Sequence, residues 1–376
     1  MNWRAVAPLT GGTFLGMYPM MTTPVVIGGA MDGAAMTSQQ AGWIGAILVG
    51  GVAAASMLLP PLLHRFPGRP PLYLFAALLI AGYFGFSIAS DFATFASFAF
   101  LGGLGSGGLL AGMAMRIAGM ASPERIYGSI YAGATIAFAL LLFAVPIIGS
   151  SYGVSTAFLM LAIVALTVTP ALLFVDDHVV EDAGGAAGAG TPWGMVVIVM
   201  LVMTIAFPLY GGVYSFCERR AVAVGLSPAG VGSVLCATTL MTVVGSILVA
   251  WIGTRPGRTL PTLATMVIAT IAYGLALGGD SVPSFVVGML AFGLIQMALN
   301  SYFFGLASVL DPGGRIAAFL QGFSLIPYAF GAALFGTIGN LPRLALPAVA
   351  INIIAALILL PMLRKLDRKD VRNAKA

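Results

Sequence analysis

Arg65-Phe66-Pro67-Gly68-Arg69-Pro70-Pro71-Leu72 returns further along the chain as Arg255-Pro256-Gly257-Arg258-Thr259-Leu260-Pro261, about 190 residues later. Each copy is a short basic turn set between two long apolar runs. The same offset carries Asp91 to Asp280, Tyr18-Pro19 to Phe207-Pro208, Arg125-Ile126 to Arg315-Ile316 and Gly149 to Gly339. Matches that keep one order and one offset describe two copies of a single unit, residues 5–175 and 193–363.

The runs flanking the turns are suited to lipid rather than water. Of 376 residues 60% are hydrophobic and 8% charged, with a mean hydropathy of +1.03. A water-facing domain carries roughly 25% charged residues, so most of this surface must face hydrocarbon. A bilayer core of about 30 Å is crossed by about 20 helical residues. Twelve apolar runs meet that length, near 5–30, 41–63, 72–90, 93–117, 126–149, 152–175, 193–217, 228–253, 260–279, 283–307, 315–339 and 343–363. Their prolines and glycines suit a membrane, where neighbouring helices satisfy freed backbone groups and glycine permits close contact. Continuous runs, rather than alternating ten-residue ones, exclude a β-barrel. The expected fold class is therefore an all-α membrane protein of twelve transmembrane helices in two six-helix bundles. Its expected parts are an N-terminal bundle over 1–175, a linker over 176–192, a C-terminal bundle over 193–363 and a basic tail over 364–376.

Lysine and arginine orient such a chain. With both termini on the cytoplasmic side, the inner segments hold Arg4, Arg65, Arg69, Arg116, Arg125, Arg255, Arg258, Arg315 and the six basic residues of the tail. The outer segments hold only Arg219, Arg220 and Arg343. The net charge of +5 is thus a topology signal, not a nucleic-acid face. Met1 to Pro8 lead into the first span with no small-residue cleavage site, so the start reads as a spanning helix. Cys217 and Cys236 form no paired framework or metal-type spacing and read as packing residues. No cofactor or metal is implied.

At this point the sequence resembles the major facilitator superfamily, along essentially its whole length. The two arginine-bearing turns resemble the family's loop signature, and Gly102, Gly103, Gly105, Gly107 and Gly108 its glycine-rich fourth helix. Pro123-Glu124-Arg125 resembles the segment before the fifth helix, and Pro146 with Gly149 the glycine-proline signature late in it. The sequence departs from the family pattern in three places. His64 and Pro67 stand near where the first loop usually has an acidic residue, Phe98 stands where an arginine precedes the helix-4 glycines, and valine precedes Pro146. The resemblance implies transport by alternating access, with a cavity lined by spans 1, 4, 7 and 10 and by parts of 5, 8 and 11. It also gives Arg65, Arg69, Arg125, Arg255 and Arg258 a gating role, as loop arginines whose charge contacts switch between states.

Helical spacing then selects faces. In the seventh span Phe207, Tyr210, Tyr214 and Glu218 share one stripe; in the first, Thr10, Phe14, Tyr18 and Met21 do. Tyr131 lies on one face of the fifth span with Tyr127 and Thr135. Gln296 and Asn300 sit four apart in the tenth, and Gln321, Ser324 and Tyr328 form a stripe in the eleventh. An amide in hydrocarbon costs several kcal/mol unless paired, so Gln296, Asn300 and Gln321 must face protein or a wet cavity. Candidate substrate-binding residues are therefore Phe14, Tyr18, Tyr131, Phe207, Tyr210, Tyr214, Gln296, Asn300, Gln321 and Tyr328. The alternative for each amide is an interhelical bond that holds the bundle, and for each aromatic, ordinary packing or an interfacial belt.

Glu218 is the one carboxylate sharing a stripe with these residues, so it is the candidate for proton coupling, with Arg219 beside it; the alternative is a hydrated ion pair. Asp32, Asp91 and Asp280 are expected to be solvated at the outer edge. The expected function is a secondary or facilitative transporter of a small organic solute, not an enzyme. Its expected partners are that solute, protons and lipids, in a monomer of a bacterial inner membrane with no nucleic acid. The alternatives are efflux of drugs or amphipathic compounds on the same fold, or a lipid scramblase or membrane-embedded enzyme. An embedded hydrolase would need a base within the membrane, yet His64 and His178 both fall in predicted cytoplasmic segments.

Overall fold

The computed structural model describes residues 3–66, 68–118, 123–175, 193–253, 255, 257–310 and 315–373. Among them the first half comprises α1 (Trp3–Gly33), α2 (Ser38–Leu58), α3 (Pro60–Arg65), α4 (Pro70–Ile88), α5 (Phe92–Ala118), α6 (Pro123–Tyr152) and α7 (Val154–Val168). The second comprises α8 (Trp193–Ala223), α9 (Pro228–Ile252), α10 (Thr259–Gly278), α11 (Val282–Leu310), α12 (Arg315–Ile338) and α13 (Ala345–Asn373). Short 3-10 turns extend α7 through Phe174 and precede α13 from Leu341. Among the described residues, twelve helical runs are long and apolar enough to cross a membrane, and α3 is a further short helix. An even number of spans puts the start of α1 and the end of α13 at one end of the molecule, here called proximal, and the α1–α2 and α8–α9 loops at the other, distal end.

The repeat governs local structure. Thr37 and Ser227, 190 residues apart, cap α2 and α9 by accepting from the backbone N–H of Gln40 and Gly230, which relieves unpaired donors at the helix start. Both basic turns rest on a left-handed glycine, Gly68 at φ 110° and Gly257 at φ 84°, a conformation costly for any residue with a Cβ. The α1–α2 corner and its copy require the same conformation, taken by Ala35 at φ 49° in one half and by Gly225 at φ 93° in the other. The second span ends sooner than the apolar run suggests, at Leu58 rather than near 63. Pro60 and Pro61 lack the N–H groups that would continue α2, and they start α3 instead.

Close packing follows from small residues. Gly103 and Gly107 of α5 lie on the α2 backbone at Leu48 and Val52, while Gly105 and Gly108 meet α4 at Phe75. Phe98, at the position where the family pattern has arginine, fills the notch left by Gly85. Pro19 leaves the Leu15 carbonyl of α1 without its helical donor. The buried Ser106 hydroxyl of α5 supplies one, at 3.0 Å, and also reaches the Gly16 carbonyl at 2.7 Å. Asn352 of α13 is a bundle-holding amide of the same kind, donating to the Met266 carbonyl and the Thr270 hydroxyl of α10 at 2.7 and 2.8 Å.

Candidate functional site

Among the described residues, the main contacts between the bundles are those of α2 with α12, α6 with α9, and α1 with α8. On the second-bundle side, five of the aromatic and amide candidates converge. Tyr210 stacks on Phe292 of α11 at 5.2 Å between centroids and meets the edge of Tyr328 of α12, also at 5.2 Å. Phe207 lies 6.2 Å from Tyr210 and 5.9 Å from Phe303. Gln296 of α11 is buried and its amide lies near the Tyr210 hydroxyl. Asn300, one turn further along α11, is half-buried, and Gln321 of α12 is exposed. Tyr214 faces Phe292 at 6.3 Å, but its hydroxyl crosses the α1–α8 seam and donates to the Met21 carbonyl at 2.8 Å.

The first-bundle candidates are placed differently. Tyr18 is fully buried and donates to the Leu161 carbonyl of α7 at 2.8 Å, with its ring edge-on to Tyr83. Phe14 stacks on Phe138 at 4.2 Å. Tyr131 of α6 is half-buried. The structure thus gathers Phe207, Tyr210, Tyr214, Gln296 and Tyr328 into one cluster and leaves Phe14 and Tyr18 inside the packing of their own bundle.

The distal end is held by charge and by glycine. Arg219 of α8 donates Nε to Glu218 at 2.6 Å and its two terminal nitrogens to both Asp32 oxygens at 2.7 and 2.6 Å, joining α8 to α1. Asp32 is therefore paired, not simply solvated, though its side chain stays 57% exposed; Glu218 is only 12% exposed. Asp280 is 90% exposed and contacts Arg220 at 3.3 Å. Asp91, fully exposed, caps α5 by accepting from the Ala93 and Thr94 N–H groups. The Thr94 backbone and side-chain bonds, with the Ala93 bond, hold its carboxyl below the usual range.

Nearby, a Cβ added to Gly42 of α2 would lie 2.9 Å from the Gly336 Cα of α12. Gly232 of α9, offset from Gly42 by 190 residues, sits against the Phe143 carbonyl of α6. At the proximal end the α2–α12 seam is bridged by a side chain instead, Met57 lying over Gly322.

A family model described as Major Facilitator Superfamily matches residues 9–332. The chain belongs to that superfamily. It is accordingly an integral membrane transporter, not an enzyme. Among solved structures the fold is similar to a D-xylose–proton symporter, at 15% identity and a TM-score of 0.75 over 95% of this chain and 97% of the other. It is also similar to the nucleoside transporter NupG, at 13% identity and 0.73 over 95% and 98%. A third is the human organic anion transporter MFSD10, at 16% identity and 0.66 over 95% and 99%. No curated protein matches the sequence.

In this superfamily member each basic loop bonds to the end of the sixth span of its own half. Arg69 donates Nε to the Val175 carbonyl at 2.7 Å. Asp367 near the end of α13 accepts from the Arg258 and Thr259 N–H groups at 2.7 and 3.1 Å, capping α10 from 109 residues away. Buried Arg116 donates to the Gly68 and Gly112 carbonyls at 2.7 and 3.0 Å. Arg65 and Arg255 are exposed. Arg125 lies in the first turn of α6, but its side chain lies outside the described residues, as does the linker 176–192. Sequence reasoning missed the roles of Asp32 and Asp367. An acid inside the basic run Arg364-Lys365-Leu366-Asp367-Arg368 was the available signal for the second.

Proposed function

We propose that the protein carries a small, uncharged organic solute by alternating exposure of a site on the face of the second bundle, at Tyr210, Gln296 and Asn300. The observation that carries this reading is the gathering of Phe207, Tyr210 and Tyr328 around the buried amide Gln296, in a zone without fixed charge. Among the described residues, no span holds Lys, Arg, His, Asp or Glu in its central third. Phenols and amides hydrogen-bond hydroxyl and carbonyl groups while aromatic faces take apolar surface. A phosphate ester or other strong anion normally requires fixed cations. Tyr131 and Gln321 complete the site from α6 and α12, while Phe14, Tyr18 and Tyr214 hold the frame around it.

Glu218 is the proton-coupling residue in this reading, and Arg65, Arg69, Arg125, Arg255 and Arg258 act at the proximal gate. The division into bundles 1–175 and 193–363 with a linker over 176–192, the cytoplasmic termini, the inner-membrane location and the monomeric state belong to the same proposal. A second reading, export of amphipathic compounds, is favoured by the aromatic content of the cluster. Solute flux into liposomes with and without a pH gradient tests the class, and lipid scrambling without solute flux would sink it. Alanine at Gln296 or Asn300 should raise apparent KM with membrane abundance unchanged; loss of abundance instead would assign the amides to packing. Glu218→Gln should abolish accumulation driven by a pH gradient and spare counterflow exchange; unaltered accumulation would remove Glu218 from coupling.

A further inference from the structure

A cavity of about 350 Å³ opens at the distal end, away from the Tyr210 cluster. Its walls come from both bundles, with Val25 and Gly28 of α1, Pro146 of α6, Phe158 of α7, Val222 of α8 and Val231 of α9 among them. Asp32, Glu218 and Arg219 are the charged groups that line it. Two carboxylates against one guanidinium leave a surplus of one negative charge. The arginine's Nε and both terminal nitrogens are already committed to those carboxylates. The charge is graded in depth, with Asp32 at the mouth and Glu218 and Arg219, 12% and 16% exposed, further in. Gly28 makes this possible, because a Cβ there would collide with the Glu218 carboxylate.

We infer that this vestibule is a binding site for an organic ammonium ion, separate from the solute site. The volume falls at the lower end of the range for small-molecule pockets. Apolar walls remove water from alkyl groups while the surplus charge offsets the desolvation of a monovalent cation. A divalent inorganic cation fits poorly, since calcium or magnesium needs about six oxygen ligands. Among the described residues no cluster of three His, Cys, Asp or Glu side chains is arranged to hold a metal. Because the walls belong to both bundles, an occupant binds the closed distal end more tightly than the open one and holds it closed.

The probe is tetraethylammonium, titrated calorimetrically onto the purified full chain in phosphatidylglycerol nanodiscs, with benzoate as the anionic control. The expected result is saturable binding of the cation, none of benzoate, and at least a five-fold weakening by Asp32→Asn. Val222→Trp, which fills the cavity from an exposed helix position without changing charge, should weaken binding as much. Absence of saturable binding, or equal affinity in wild type and both variants, overturns the proposal. Loss of binding when phosphatidylcholine replaces phosphatidylglycerol would assign the signal to adsorption of the cation on the anionic lipid surface and overturn the proposal.

Discussion

Arg219 reaches Asp32 through two parallel hydrogen bonds of 2.7 and 2.6 Å, so one guanidinium on the second bundle grips a carboxylate on the first. The geometry is the bidentate fork that makes arginine–carboxylate pairs specific. With Asp32 more than half exposed, solvent screening limits the pair to about 1 kcal/mol or less. Asp32→Asn should therefore shift the balance toward a distally open state by up to about five-fold. Distances between spin labels at Ser38 and Thr337 would report it; an unchanged distribution would mean the pair carries no share of the closure.

Gly42 and Gly232 occupy the same place in the two repeats, and each brings a helix backbone against the opposite bundle. A tryptophan at either cannot be accommodated while the distal seam is shut, since overpacking a filled seam costs several times thermal energy. Gly42→Trp and Gly232→Trp should each lower transport at least about ten-fold and leave binding from the distal side intact. Gly50→Ala is the control, because nothing lies within 4 Å of a Cβ there. Full activity in the tryptophan variants would show that the distal seam need not close.

Ala35 adopts the left-handed conformation that its counterpart Gly225 adopts without a Cβ. For a residue with a Cβ this costs roughly 1–2 kcal/mol. Ala35→Gly should raise the thermal unfolding midpoint and Gly225→Ala should lower it by a similar amount. A pair of shifts with the same sign would contradict the assignment of strain.

Asp367 caps α10 through two backbone N–H groups and leaves little room beside Gly257, where a Cβ would lie 3.0 Å from its carboxylate. Loss of a helix cap costs about 1 kcal/mol. Asp367→Ala should lower thermal stability to that degree, with proteolysis first appearing in the α9–α10 turn. Unaltered stability would make the contact incidental.

The twelve spans, the repeat and the superfamily were legible in the sequence because each rests on composition or on periodic position. Six-helix halves at an offset of 190 carry their capping residues, Thr37 and Ser227, and their turn glycines, Gly68 and Gly257, to equivalent places. The candidate site was only partly legible. Tyr18 and Tyr210 read alike as aromatic residues on a helical stripe, yet one hydroxyl serves a carbonyl in its own bundle while the other ring packs into the cluster against Phe292 and Tyr328. Spacing gives the stripe, while the partner depends on which helix happens to cross it. Asp32 looked like a surface acid because its partner lies 187 positions away, a separation no local pattern encodes.

The glycines of the distal seam bear on motion as well as on fit. Where interlocking side chains meet, parting two bodies means unthreading rotamers, and each cycle loses and regains their order. Where backbone lies on bare backbone, as at Gly42 and Gly232, little has to repack. The surface behaves as a smooth bearing: it guides the bundles together without resisting their separation. The ion pair and the occupant of the site are then left to decide which way the molecule faces.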